Sequence, residues 1–173
     1  MGIFTRGLLT GFMVGPLVAA LIVVSGFWPV MGTAEPSAWE TTMGRRTLTA
    51  SVAREAPEVQ NPLSPSSEVL RAGLRVYRDG CSGCHGDYQK PSHWGTTAFY
   101  PRVPQFALNA PDRPDGQLFW IVKHGVRYSG MAAWDREIPD GKIWQVVTFL
   151  SRLRNLPPDV EADWHQPPVE KSP

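Results

Sequence analysis

The chain has 173 residues, 42% of them hydrophobic, with 17 Lys+Arg against 16 Asp+Glu. That balance sets up no strong global field, so nothing points to nucleic acid or to an acidic partner. The 17 prolines are roughly twice the usual share; they predict many loops and some extended linker, and there is no internal repeat.

Residues 1–34 come first. No residue from Gly7 to Ala34 is charged, and GLLTGFMVGPLVAALIVVSGFWPV, residues 7–30, is apolar almost throughout. As a helix this run extends ~36 Å, enough for a hydrocarbon core of ~30 Å. Pro16 is tolerated in a membrane span, and Trp28 stands where an interfacial anchor belongs. A retained signal anchor is therefore expected, one transmembrane helix held in membrane lipid. The alternative is a cleaved signal peptide, with Gly32-Thr33-Ala34 preceding the cut; against it, the run exceeds the ~7–15 residues of a signal h-region. Arg6 on one side and Arg45 and Arg46 on the other leave the orientation open. Gly7, Gly11 and Gly15 form a small-residue face that either packs a second helix or reflects the ordinary glycine content of membrane helices.

Residues 35–66 turn polar, with Pro36, Pro57, Pro62 and Pro65. They read as a tether on the far side of the membrane, with room for a short helix around Thr49–Glu55. If flexible, it spans about 30 Å end to end.

Residues 67–157 read as a small all-α head. Leu70, Leu74 and Tyr77 recur at helical spacing behind capping serines. A second helix is expected from Asp115 as cap, with Leu118, Ile121 and Val122 on one face and Gly125 as stop. A third starts at Asp140, with Ile143, Val147 and Leu150 on one face and Trp144 beside them. Nothing alternates with period two over a full strand. A domain of this size usually needs a covalent or metal staple. Residues 158–173 read as a Pro-rich tail, either mobile or laid across a neighbour through Trp164.

The staple is in YRDGCSGCHGDY, residues 77–88, which holds both cysteines. A thioredoxin-like pair requires a βαβ context that is absent. A zinc site requires two more ligands, and His93 and His124 match no zinc spacing. Cys81, Cys84 and His85 instead fit covalent c-type haem attachment: two thioethers to the haem vinyl groups and an axial imidazole, all from one turn of backbone. One haem c is the expected cofactor, with His85 as metal ligand. Beyond the tether the single methionine is Met131, in HGVRYSGMAAW, flanked by Gly130 and Ala132. It is the expected sixth ligand, and its soft thioether favours ferrous iron and raises the potential. The bland reading of a lone methionine is core filler. His124, at a helix end, is the alternative ligand; His93 and His165 read as surface residues.

GLRVY before CSGCHG, PQF after it, HGVRYSGMAAW and KIWQVVTFL together resemble the class I c-type cytochromes, of the bacterial membrane-anchored monohaem type, over about Leu70–Leu156. The resemblance implies a small all-α fold around one covalent haem, in which Gly73 and Tyr77 on the first helix cross the last helix near an aromatic, Trp144. It also implies that a proline carbonyl accepts the axial histidine's other N–H. Pro104 is the expected acceptor, with Pro101 as the alternative. Trp94, Tyr100 and Arg102 are candidate haem-propionate contacts. The implied location is the outer, periplasmic face of a bacterial inner membrane. With His85 and Met131 both bound, no position is open for substrate, so an electron carrier rather than an enzyme is expected. Its partners would be redox proteins, including stable subunits of a respiratory or photosynthetic complex. The alternative is a haem gas sensor or peroxidase-like enzyme with a displaceable methionine.

Overall fold

The structure, a computed structural model, describes residues 3–27 and 29–167, with side chains at 12 and from 14 onward. It divides into two units, Met1–Ala34 and Glu35–Pro173.

In the first unit α1 runs Ile3–Val24 with Pro16 inside it, and its described apolar side chains, such as Leu17 and Leu21, are exposed. Among the described residues no helix is long and apolar enough to cross a membrane. The anchor expected over residues 7–30 falls partly outside those residues, as do the side chain of Met13, the surroundings of Gly7 and Gly11, and all of Trp28. Gly15 has open space around it.

The second unit is all-α, as expected: α2 Ala38–Glu55, α3 Ser67–Gly80, α4 Ser82–His85, α5 His93–Thr97, α6 Asp115–His124, α7 Asp140–Arg152 and α8 Pro158–His165. The extended pairing among its described residues is one bridge, Asp87 with Lys90. Helix α3 packs along α7 as the main pair, α6 lies on α7, and α8 lies on α3. Gly73 permits the α3–α7 crossing, since a Cβ there would meet the Gln145 carbonyl oxygen and, at 2.7 Å, Phe149 Cβ. The aromatic at the crossing is thus Phe149, whose ring lies 5.7 Å from that of Tyr77, and not Trp144. Five residues apart, the two aromatics point about 140° away from each other round the helix. Trp144 instead stacks on Phe119 at 4.1 Å.

Two buried clusters share α7. One joins Leu74, Tyr77, Val146, Phe149, Leu150 and Trp164. The other joins Leu118, Val122, Ile143 and Val147, with Met131, Trp134 and Trp144 packed against it.

Three expectations change. Residues 35–66 do not form a flexible tether. Ser37 and Glu40 close a capping box, with bonds of 3.2 and 2.9 Å, and α2 continues to Glu55, docking on α6. Val52 is fully buried, Thr49 Oγ1 accepts from Arg113 at 3.0 Å, and Asn61 donates to Asp115 at 2.8 Å and to Thr148 at 2.9 Å. One buried apolar residue leaves no stripe for periodicity to detect; polar bonds do the docking.

The tail is not mobile up to residue 167. α8 seats Trp164 in the main cluster, edge-on to Tyr77 at 5.7 Å and near edge-on to Phe149 at 5.5 Å, so it covers this chain's own core. Arg71 pairs with Asp163 at 2.6 Å and Asp159 at 2.9 Å. Lastly, Asp115 and Asp140 are the first helical residues rather than caps. Pro114 and Pro139 hold the cap positions without a side-chain bond. The aspartates therefore act on the helix dipole, and Asp140 pairs with Lys123 at 2.8 Å. Ser66 caps α3 as expected, accepting from Val69 N–H at 3.3 Å.

Candidate metal centre

The site grows from the end of α3. Cys81 closes that helix, and Ser82–His85 add one short turn, α4. The turn stops because Gly86 takes φ +82°, a left-handed conformation that glycine adopts without a Cβ clash. Tyr77, one turn before Cys81, donates its buried hydroxyl to the Gly86 carbonyl at 2.6 Å and so ties both ends of the motif together. Burial pushes the Tyr77 phenol far above its ordinary pKa, so it remains a donor.

Three backbone and side-chain clamps fix the turn from outside. Gln105 donates from Nε2 to the Cys84 carbonyl at 3.0 Å, and its Oε1 accepts from Ser92 N–H at 2.7 Å. Ser92 Oγ in turn donates to the Gly83 carbonyl. Gly95 approaches the Cys84 carbonyl so closely that a Cβ has no space. PQF thus supplies more than its proline, and the bridging role of Gln105 had no signal in the sequence beyond its place in that motif.

His85 is buried. Its Nδ1 lies 2.8 Å from the Pro104 carbonyl oxygen. A carbonyl can only accept, so Nδ1 carries the proton and Nε2 keeps its lone pair. Burial holds the imidazole pKa below its ordinary value, with the Pro104 bond acting in the opposite sense. Phe106 lies parallel to the ring, 4.4 Å between centroids and 4° between planes, which fixes the imidazole plane. The imidazole is neutral, singly protonated at a known atom and held on two sides.

Both cysteines are free thiols and partly buried. Burial first, and Cys84 second, push the Cys81 thiol up to about 12, the reverse of the lowered pKa that thiol–disulfide exchange needs. Among the described residues no group of three His, Cys, Asp or Glu is assembled around a metal position, so the motif gathers no third and fourth zinc ligand.

Met131 arrives from the loop after α6. Gly125 ends α6 at φ +68° with the Met131 carbonyl oxygen and the Ala132–Ala133 peptide close against it. Val126 N–H donates to the Met131 carbonyl at 2.9 Å, and Met131 N–H donates to Ser129 Oγ at 3.1 Å. The side chain packs on the Leu118, Val122, Ile143 and Val147 cluster. Two contacts bring this loop to the cysteine motif: Trp134 lies against Gly80, the residue before Cys81, and Phe99, four residues after Gly95, lies against Gly130.

His124 is exposed at the end of α6, its ring 5.2 Å from that of Trp120. His93 is exposed and His165 is on α8, stacked on Tyr88 at 3.9 Å. The propionate candidates have other partners: Tyr100 donates to Glu40, and Arg102 pairs with Glu35 at 2.9 Å and holds the Phe99 carbonyl at 2.8 Å. Trp94 is largely exposed with its edge toward Phe99.

The donor set fits a haem. Two thiols and an imidazole sit on one turn, the imidazole carries its proton at Nδ1 and keeps Nε2 available, and the Met131 side chain packs on an apolar cluster. A family model described as Cytochrome C oxidase, cbb3-type, subunit III matches residues 68–150. No curated protein matches the chain.

Proposed function

Because residues 68–150 are a class I c-type cytochrome domain, we infer that the chain carries single electrons through one haem c bound covalently at Cys81 and Cys84. The haem supplies a one-electron couple, and a methionine ligand sets that couple at the oxidising end. The protein's own residues do the rest. Pro104 fixes the His85 proton at Nδ1, Phe106 fixes the ring plane, and the Gly125 turn packs on the Met131 backbone. His85 and Met131 would hold the haem iron, and side chains fixed in this way would limit rearrangement on electron transfer. The observation that carries the reading is the His85–Pro104 bond, which prepares a neutral imidazole for a metal.

We further propose that residues 7–30 anchor the chain in a bacterial inner membrane, with the second unit on the periplasmic side. The uncharged apolar run supports the anchor, and a c-type attachment motif supports export. The matched family is described as an oxidase subunit, which favours a fixed subunit of a respiratory complex over a free shuttle.

The test is spectroscopic. The ferric iron–methionine far-red band should vanish in Met131→Ala and persist in His124→Ala. The reverse result would establish bis-histidine ligation. Prompt carbon monoxide binding by the reduced wild-type protein at neutral pH would overturn the carrier reading in favour of a sensor or peroxidase-like enzyme.

A further inference from the structure

Helix α2 has one side fastened to the domain and another that is exposed. The fastened side uses Glu40 on Tyr100, Thr49 on Arg113 and the buried Val52. The outward side carries Trp39, 68% exposed, and Met43, 42% exposed, one turn apart. Arg46 lies about 20° from Trp39 round the helix and Arg45 about 120°; both are exposed, and among the described residues neither makes an ion pair. The two arginines line a shallow furrow along the helix with Ala50, Ala53 and, at the margin of the fastened side, Thr49.

We propose that this face of α2 lies on the membrane surface, with Trp39 and Met43 in the interfacial layer and Arg45 and Arg46 on anionic phospholipid headgroups. The inference rests on the membrane anchoring proposed above.

Two observations choose lipid as the occupant. The first is charge: two unpaired cations flank exposed apolar side chains, the combination that seats an amphipathic helix in an anionic interface. Tryptophan suits that layer because its ring is apolar and its N–H is not. The second is continuity. Phe27, Val30 and Met31, all highly exposed, lie just upstream, and the chain from Met31 to Trp39 cannot extend beyond ~27 Å. That covalent limit holds the start of α2 near whatever surface the apolar run is held in. Since α2 is bolted to the domain, seating it would fix the domain's orientation over the bilayer and remove the free swing of a tethered carrier.

The experiment uses the full-length haem-loaded chain in vesicles of phosphatidylcholine and phosphatidylglycerol. Trp39→Cys, Met43→Cys and, as control, the exposed Leu108→Cys are labelled with bimane and quenched by nitroxide lipid. Quenching about threefold stronger at 39 and 43 than at 108 is expected. The Arg45→Glu/Arg46→Glu variant should lower that excess several-fold, since each arginine contributes about a fivefold shift in surface partition. A chain that floats with the vesicles but shows no excess quenching overturns the surface assignment and leaves the anchor standing. So does labels' shielding from both nitroxide lipid and aqueous iodide, which would put a protein on this face. Unchanged quenching in the double variant overturns the headgroup contact. A chain that does not float overturns both the anchor and this inference.

Discussion

Tyr77 does two jobs with one side chain. Its ring fills the α3–α7–α8 junction, and its hydroxyl satisfies the Gly86 carbonyl. In Tyr77→Phe the packing stays and the bond goes, leaving a carbonyl beside the Cys81–His85 turn without that donor. A loss of about 1–3 kcal/mol in urea unfolding of the haem-loaded protein is expected. A change near zero would mean that water replaces the hydroxyl. Cys81, Cys84, His85 and Met131 stand out in the sequence because few residue types can attach haem or bind its iron and the attachment spacing is demanding; that makes them the candidates the spectroscopic test addresses. Gln105 and Phe106 were legible only as members of PQF, since their roles come from what they touch 13 to 21 residues away.

The elements differ in how they announce themselves. α3, α6 and α7 place apolar residues on one face, so their periodicity shows in the sequence. α8 offers only Val160 and Trp164 as buried residues in a Pro-rich context, and its docking depends on Arg71 and Arg78, which sit far upstream. Arg78 donates to the carbonyls of Asp163, Trp164 and Gln166. Its guanidinium also lies over the Trp164 ring at 5.5 Å. Replacing Trp164 with alanine should cost about 3–5 kcal/mol in denaturant unfolding. It should also expose α8 to protease before α3. An unchanged unfolding midpoint would restore the mobile-tail reading. α2 is the companion case: only a short helix around Thr49–Glu55 was expected, although Ser37–Glu40 spells the capping box S-x-x-E, and its burial leaves no pattern.

At the scale of the molecule, α2 and α8 enlarge a small helical head from opposite ends of its sequence. A fragment of residues 67–157 would lose Val52, Asn61 and Trp164 together. It is expected to bind haem yet melt well below a fragment of residues 35–173, by on the order of 10 °C or more given several kcal/mol lost from a domain of this size. Equal melting temperatures would show that the flanking helices are only attached, not integral. The sequence by itself determined the C-x-x-C-H motif, the helical class and the apolar N-terminal run, because residue identity, spacing and helical periodicity are local properties. Tertiary structure alone decided that the polar segment and the Pro-rich tail belong to the domain and that Phe149, not Trp144, lies at the helix crossing. It also decided which carbonyl orients His85. Each of these is set by which distant groups meet, and a buried hydrogen bond or a single buried ring leaves no periodic trace in the chain that supplies it.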